Sequence, residues 1–186
     1  GGQVTLEQSG AILTNTMRYF GIETDKAGEV ASQFIAASRL GTLEVLDLKE
    51  SIKEVLGTVR NLNIDLPTTL GLLTQLAERS LKGTKAGTSL NTALLQLASK
   101  GKELAELGIA LPDNLDGQSF INFLDQLYTR INKLGNLKRT ALLQRIFNIR
   151  GGRAITGLDE IKRIVELTKE IRNAGDEARK ASILMD

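Results

Sequence analysis

The hydrophobic residues of this 186-residue chain follow the spacing of amphipathic helices almost throughout, and glycine or proline interrupts the pattern about every 15 to 20 residues. Each uninterrupted stretch presents one narrow apolar stripe and is too short to be a stable helix alone. The pattern therefore predicts an all-α fold, a compact assembly of about seven to nine short helices with a longer C-terminal helix. Two stretches alternate spacings of four and three most clearly: Leu48, Ile52, Val55, Val59 and Leu62, and then Phe120, Leu124, Leu127, Ile131 and Leu134.

Several glycines and one proline have specific structural interpretations. Pro67 is expected in the first turn of a helix, because its missing N–H would have no partner there. Gly83 is expected to take a positive φ, and Gly87 to let two helices approach closely. An aliphatic residue follows a predicted helix end at three places, Gly21-Ile22, Asn63-Ile64 and Gly108-Ile109. This recurrence indicates Schellman caps with their hydrophobic contact, and internal duplication is the alternative.

The chain is expected to divide into a helical domain, 1–157, and a C-terminal helix, 158–186, that begins an extended helical region. It opens with Gly1-Gly2 and ends inside a helical pattern, so we expect it to be a segment of a longer protein. The longest stretch without a charge, 86–99, is too short and too polar to span a bilayer.

The chain contains no cysteine and no histidine. This excludes disulfides, thiol chemistry, Cys/His zinc sites and a histidine general base, which most common hydrolases and metalloenzymes need. We therefore expect no enzyme activity, no cofactor and no metal. The core must be built from Leu, Ile, Val and Ala, since aromatic residues make up only 4 % of the chain.

Three motifs superficially resemble ligand sites. Residues 83–88 lack the lysine and the preceding strand of a phosphate-binding loop. The acidic residues of 113–117 have the wrong spacing for an EF-hand, so Asp116-Gly117 indicates a turn. Glu103 and Glu106 share a helix face, but no apolar surroundings would raise the pKa of either carboxyl group, so solvated charges are expected.

Charge is distributed unevenly along the chain. Residues 1–125 carry a net charge of −4 and residues 126–186 a net charge of +6, and no acidic residue occurs between Asp125 and Asp159. Such a basic stretch fits nucleic acid, an acidic protein surface or plain solvation. Tyr128 is the one candidate stacking aromatic in this region, and a helix-turn-helix pattern is missing, which disfavours nucleic acid. The candidate interaction residues are Lys138, Arg139, Arg145, Arg150 and Arg153.

Four segments in order resemble the core region of phage tail tape measure proteins. Residues 80–90 resemble the family pattern G-x-K-G-S/T-x-A-G-T-x-L, and residues 104–109 its L-x-x-L-G-V helix end. Asp116-Gly117 falls where the family has an acidic-glycine turn, and residues 139–148 resemble its R-x-x-x-L-x-x-I-F-G segment. The resemblance extends over roughly residues 24–157. Its structural motif residues are Gly83, Ala86, Gly87, Thr88, Leu90, Ile146 and Phe147.

The resemblance implies a structural protein of a phage or prophage tail. Tape measure proteins set tail length while the tube polymerises around them, and they occupy the tube lumen. The implied partners are the tail tube protein, tail assembly chaperones and further copies of the chain, and the implied locations are the virion tail and, during assembly, the host cytoplasm. Two alternatives stay open: a helical nucleic-acid-binding domain that uses the basic stretch 130–153, and a helical protein–protein adaptor.

Overall fold

The computed structural model describes residues 6–147 and 158–185. These residues form helices and connecting turns, with no strand in either range, which confirms the all-α prediction. A 3₁₀ turn, Thr24–Lys26, precedes the second helix. The helices are α1 (Leu6–Tyr19), α2 (Ala27–Gly41), α3 (Val45–Asn61), α4 (Leu66–Glu78), α5 (Gly83–Ala98), α6 (Gly101–Glu106), α7 (Gly117–Asn132), α8 (Asn136–Phe147) and α9 (Leu158–Met185).

Helix α4 lies at the centre of the fold. Every residue in 66–77 is buried, including four polar ones, because α2, α3, α5, α7 and α9 all pack around it. Two of the threonine hydroxyl groups donate to the carbonyl four residues earlier in the chain. Thr69 Oγ1 donates to the carbonyl of Asp65 (2.9 Å), and Thr74 Oγ1 donates to that of Leu70 (2.7 Å). Burial of these threonines therefore costs little, and the helix can be enclosed on all sides.

Both apolar stripes predicted from the sequence point into the core. On α3, Leu48, Val55 and Val59 have no exposed surface, and on α7 the same holds for Leu124 and Leu127. The stripes end at Leu62 and Leu134, which are partly buried. Pro67 lies in the first turn of α4, as expected, behind Asp65, whose carboxylate accepts the backbone N–H of Thr68 (3.1 Å).

Five helices end in the same way. After each, one residue takes a positive φ, and the N–H of the next residue donates to the carbonyl oxygen five positions earlier, as in a Schellman cap. The three predicted caps, at Gly21, Asn63 and Gly108, are confirmed. Two more, at Thr42 and Ser80, use residues that do not favour this conformation. The donors are Ile22, Leu43, Ile64, Leu81 and Ile109, and all five pack on the core.

Helix α9 runs antiparallel to α4 and also packs against α2 and α7. Its first half is part of the core, since Ile161, Ile164 and Ile171 have no exposed surface. The last turns, 179–185, are exposed. The boundary between 157 and 158 remains a prediction, but the packing joins the first half of α9 to the preceding helices.

Three ion pairs connect α9 to the two ends of α4. At the C-terminal end of α4, Glu78 binds Arg163 (2.7 Å) and Arg79 binds Glu160 (2.9 Å). At its N-terminal end, Asp65 binds Arg172 (3.0 Å). Hydrogen bonds from Arg163 to Glu78 raise the pKa of the guanidinium, so Arg163 stays positively charged throughout the physiological pH range.

Candidate interaction surfaces

The segment 80–90 is a helix-packing element. Gly83 has a φ of +63°, and its carbonyl accepts the hydroxyl of Ser51 (2.7 Å). A Cβ on Gly87 would overlap the carbonyl oxygen of Ser51 and lie 2.8 Å from the Cβ of Glu54. The glycines thus let α5 lie directly on α3, which accounts for this part of the motif without any ligand.

The other motif residues of this segment have ordinary helical roles. Ala86 and Leu90 are buried against the core. Thr88 is exposed, and its carbonyl accepts the hydroxyl of Thr92 (3.0 Å). Of the remaining motif residues, Ile146 is fully buried on α8, and Phe147 is the last residue of that helix, its side chain lying outside the described residues.

The Asp116-Gly117 turn is explained by a contact that no sequence pattern suggested. A Cβ on Gly117 would overlap the carboxylate of Asp65 and lie 2.5 Å from Nη2 of Arg172. The first residue of α7 therefore rests on the ion pair that joins α4 to α9. Glycine lets the pair occupy this space, and a larger residue would displace the ends of both side chains.

The basic stretch forms a surface on the C-terminal part of α7 and on α8. Lys133, Lys138 and Arg145 are exposed, and the last two lie along one edge of the face of α8 on which Leu142, Leu143 and Ile146 are buried. In the described ranges, no carboxylate forms an ion pair with any of these three cations. Arg150 and Arg153, the other two candidates, lie outside the described residues.

Arg139 differs from its neighbours, because it closes the turn between α7 and α8. Its Nη2 donates to the carbonyl of Leu134 (3.3 Å) and to Oδ1 of Asn136 (2.9 Å). Its Nε is buried and has no hydrogen-bond partner within the part of the chain that the structure describes. The side chain is half-buried. Arg139 is thus engaged in the fold, and Lys138 and Arg145 present the accessible charge of α8.

A cleft of about 880 Å³ opens where α1, α2, α3, α4 and α9 meet. Its apolar wall includes Phe20, Ile22 and Pro67. Four cations and four carboxylates line it, so its charges balance and select no ligand of one sign: Lys26, Arg60, Arg172 and Arg179, with Glu23, Glu29, Asp65 and Asp176. Sequence reasoning did not find this cleft, because its walls come from distant parts of the chain.

The described ranges contain no group of three or more acidic side chains placed to hold a metal ion. Glu106 is exposed, and Glu103 lies 4.0 Å from Nζ of Lys100. No helix in residues 6–147 or 158–185 combines the length and the apolar content needed to cross a membrane. The accessible features are thus the basic surface, the cleft and the end of α9.

Comparison with known proteins gives two matches. The profile of the phage-related minor tail protein family matches residues 1–148. Over 117 residues, the chain is 31 % identical to the tape measure protein of Pneumococcus phage Dp-1. That alignment covers 61 % of this chain and 10 % of the relative, so the chain spans about a tenth of the relative's length. No solved structure matches the chain.

Proposed function

Because the chain belongs to the family of phage-related minor tail proteins, we propose that it is a structural segment of a tape measure protein, which sets tail length during tube assembly and occupies the tube lumen. The observation that carries this proposal is the family match over residues 1–148, together with the similarity to a tape measure protein. The ordered motifs of 80–90 and 116–117 support it, since their glycines are needed for the packing of α3, α5 and α7.

The compact fold suggests how such a segment contributes to length control. A continuous helix rises about 1.5 Å per residue, so 186 residues in one rod would span roughly 280 Å. The helices fold back on α4 instead, and the longest, α9, has 28 residues. We therefore propose that this segment is a compact contact domain within the ruler. An extended region beyond α9 would supply length.

Partners follow from the same proposal. The segment would contact the tail tube protein, a tail assembly chaperone and further copies of itself, in the virion tail and in the host cytoplasm during assembly. The exposed cations of α7 and α8 suit an acidic partner surface. We propose a structural and not a catalytic role for the segment.

In-frame deletion in the parent phage tests this function. Removal of the domain, 6–178, should shorten tails by far less than 1.5 Å per deleted residue, or should block assembly through loss of a partner site. Tail lengths are measured by electron microscopy, with an equally long deletion from an uninterrupted helical region of the same protein as the control. Linear shortening would contradict the compact contact domain. Normal tails and normal infectivity would contradict any role in assembly.

The exposed basic surface also supports a second candidate, binding of nucleic acid. Phosphate contacts make such binding strongly dependent on salt. An electrophoretic mobility shift of duplex DNA by the chain that disappears on raising the salt, and in the Lys138→Glu/Arg145→Glu variant, would favour it.

A further inference from the structure

The outward face of α8 combines an apolar ridge with positive charge. Leu137 and Ala141 lie one turn apart on one side of the helix and form this ridge. The polar side chain of Gln144 follows on the same side, and all three residues are exposed. Leu137 is 89 % exposed, more than any other large hydrophobic side chain in the described ranges. The opposite face packs on the core through Leu142, Leu143 and Ile146. The ridge is therefore not needed for the fold of this chain.

Two cations border the ridge on the same side. Lys138 and Arg145 are seven residues apart, which places them two turns apart, about 10.5 Å along the helix axis. Neither α8 nor the part of α7 after Asp125 carries an acidic residue. An apolar ridge flanked by like charges at heptad spacing is the arrangement with which helices in coiled coils select a partner of opposite charge.

We infer that α8 is the docking surface for an acidic amphipathic helix of another protein. The partner's apolar stripe covers Leu137, and its carboxylates, seven residues apart, bind Lys138 and Arg145. Ala141 leaves room beside Leu137 for the second helix, since helices that pack in this way lie 8–10 Å apart. The inference deepens the proposed function by naming the partner chemistry of its basic surface.

The same face fits a helix better than it fits nucleic acid. Phosphate contacts would use the two cations but would leave Leu137 in water. Base stacking needs exposed aromatic rings, and Tyr128, the aromatic residue on the C-terminal part of α7, is half-buried. A helix that presents apolar surface and carboxylates together satisfies both parts of the face.

The test uses the whole chain and a designed 21-residue helix as the probe. The probe carries leucine and alanine on one stripe and glutamates at heptad spacing beside it, and binding is followed by fluorescence anisotropy at low salt. We expect saturable binding that weakens as salt is raised. Leu137→Ser should lower the affinity by about tenfold or more, because a leucine loses most of its buried area. The affinity for duplex DNA should not change in that variant.

Charge reversal identifies the contact. Lys138→Glu/Arg145→Glu should abolish binding of the acidic probe and should create binding of a probe that has lysine in place of glutamate. Lys162→Glu/Lys169→Glu is the matched control, since these lysines are exposed on α9 at the same spacing, and it should leave the affinity unchanged.

Any of three results would overturn the inference. The acidic probe does not bind, the lysine probe does not bind the charge-reversed variant, or the chain binds DNA more tightly than the acidic probe and Leu137→Ser leaves the affinity for the probe unchanged. Tail length is not measured in this test, so the docking surface and the proposed length control can fail separately.

Discussion

Helices α4 and α8 have nearly the same length, 13 and 12 residues, but the fold uses them in opposite ways. Helix α4 contains three threonines, a glutamine, a glycine and a proline, and it is buried on every side. Helix α8 contains three cations and three leucines, and one of those leucines is almost fully exposed.

The difference shows that polarity alone does not decide burial. Thr69 and Thr74 of α4 donate to carbonyl groups one turn earlier, and Thr68 accepts from Arg172. Gly71 lets α9 lie against the helix, so α4 can be enclosed without an unpaired threonine hydroxyl. Within the described ranges, Lys138 and Arg145 of α8 form no ion pair, and Arg139 donates to the turn that precedes the helix. A helix whose polar residues are small and hydrogen-bonded can therefore be enclosed, whereas unpaired charges keep one face of a helix in contact with solvent.

A leucine-to-alanine change should give the largest difference in stability between the two helices. Leu70→Ala on α4 should lower the free energy of unfolding by about 2–5 kcal/mol, because a fully buried side chain leaves a cavity. Leu137→Ala on α8 should change it by less than about 0.5 kcal/mol. Urea unfolding followed by circular dichroism measures both. Equal losses would contradict the exposed position of Leu137.

The contact between α4 and α9 is tested at Gly71. A Cβ there would overlap the hydroxyl of Thr168 and lie 3.0 Å from its Cβ, so Gly71→Ala should cost about 1–3 kcal/mol of stability. In a chain that also carries Thr168→Ala, part of that stability should be recovered, and the double-mutant cycle measures the coupling between the two positions.

Gly57→Ala is the control, because nothing lies within 4 Å of that position on α3. It should stabilise the fold by about 0.5–1 kcal/mol. Additive effects of Gly71→Ala and Thr168→Ala would contradict a direct contact.

Two buried threonines give a smaller contrast. In the described part of the chain, the hydroxyl of Thr168 is buried without a hydrogen-bond partner, whereas that of Thr74 donates to the carbonyl of Leu70. Thr168→Val should raise the free energy of unfolding by up to about 1 kcal/mol, because it removes an unsatisfied group. Thr74→Val should lower it by about 1 kcal/mol. A loss of stability in Thr168→Val would indicate a partner for that hydroxyl.

The smallest effect is expected on α8. Lys138→Gln and Arg145→Gln should each change the free energy of unfolding by less than about 0.5 kcal/mol, since both side chains are exposed and neither forms an ion pair within the described ranges. Thermal melts of the two variants beside the unaltered chain test this. A clear loss in either would assign the cation to the fold, as for Arg139.

Much of the fold could be predicted from the sequence, because its signals are local. The stripes of α3 and α7, the first turn of α4 at Pro67 and the glycine caps each depend on residues within a few turns. The complete burial of α4 could not be predicted in this way. Thr68, Thr69 and Gln75 suggest an exposed face, and only the arrangement of the surrounding helices encloses them.

The candidate surfaces were predicted less completely. The sequence predicted where the basic stretch lies. It did not show that Arg139 binds the α7–α8 turn, whereas Lys138 and Arg145 are exposed. The cap at Thr42, which directly follows the buried last residue of α2, Gly41, was not predicted because threonine does not favour a positive φ. The pair of Asp65 and Arg172 is separated by more than a hundred residues, and no periodic pattern links such positions.

The five Schellman caps bear on how the chain folds in time. Each cap closes a hydrogen bond between residues five apart and brings an aliphatic side chain back onto the helix that has just ended. Such corners can form as quickly as the helices themselves, on the scale of about a microsecond, before distant segments meet. The slow step is then the packing of these helices against one another, after their capped ends have formed. Among those docking events, the arrival of α9 on α2 spans a greater distance along the chain than its arrival on α4.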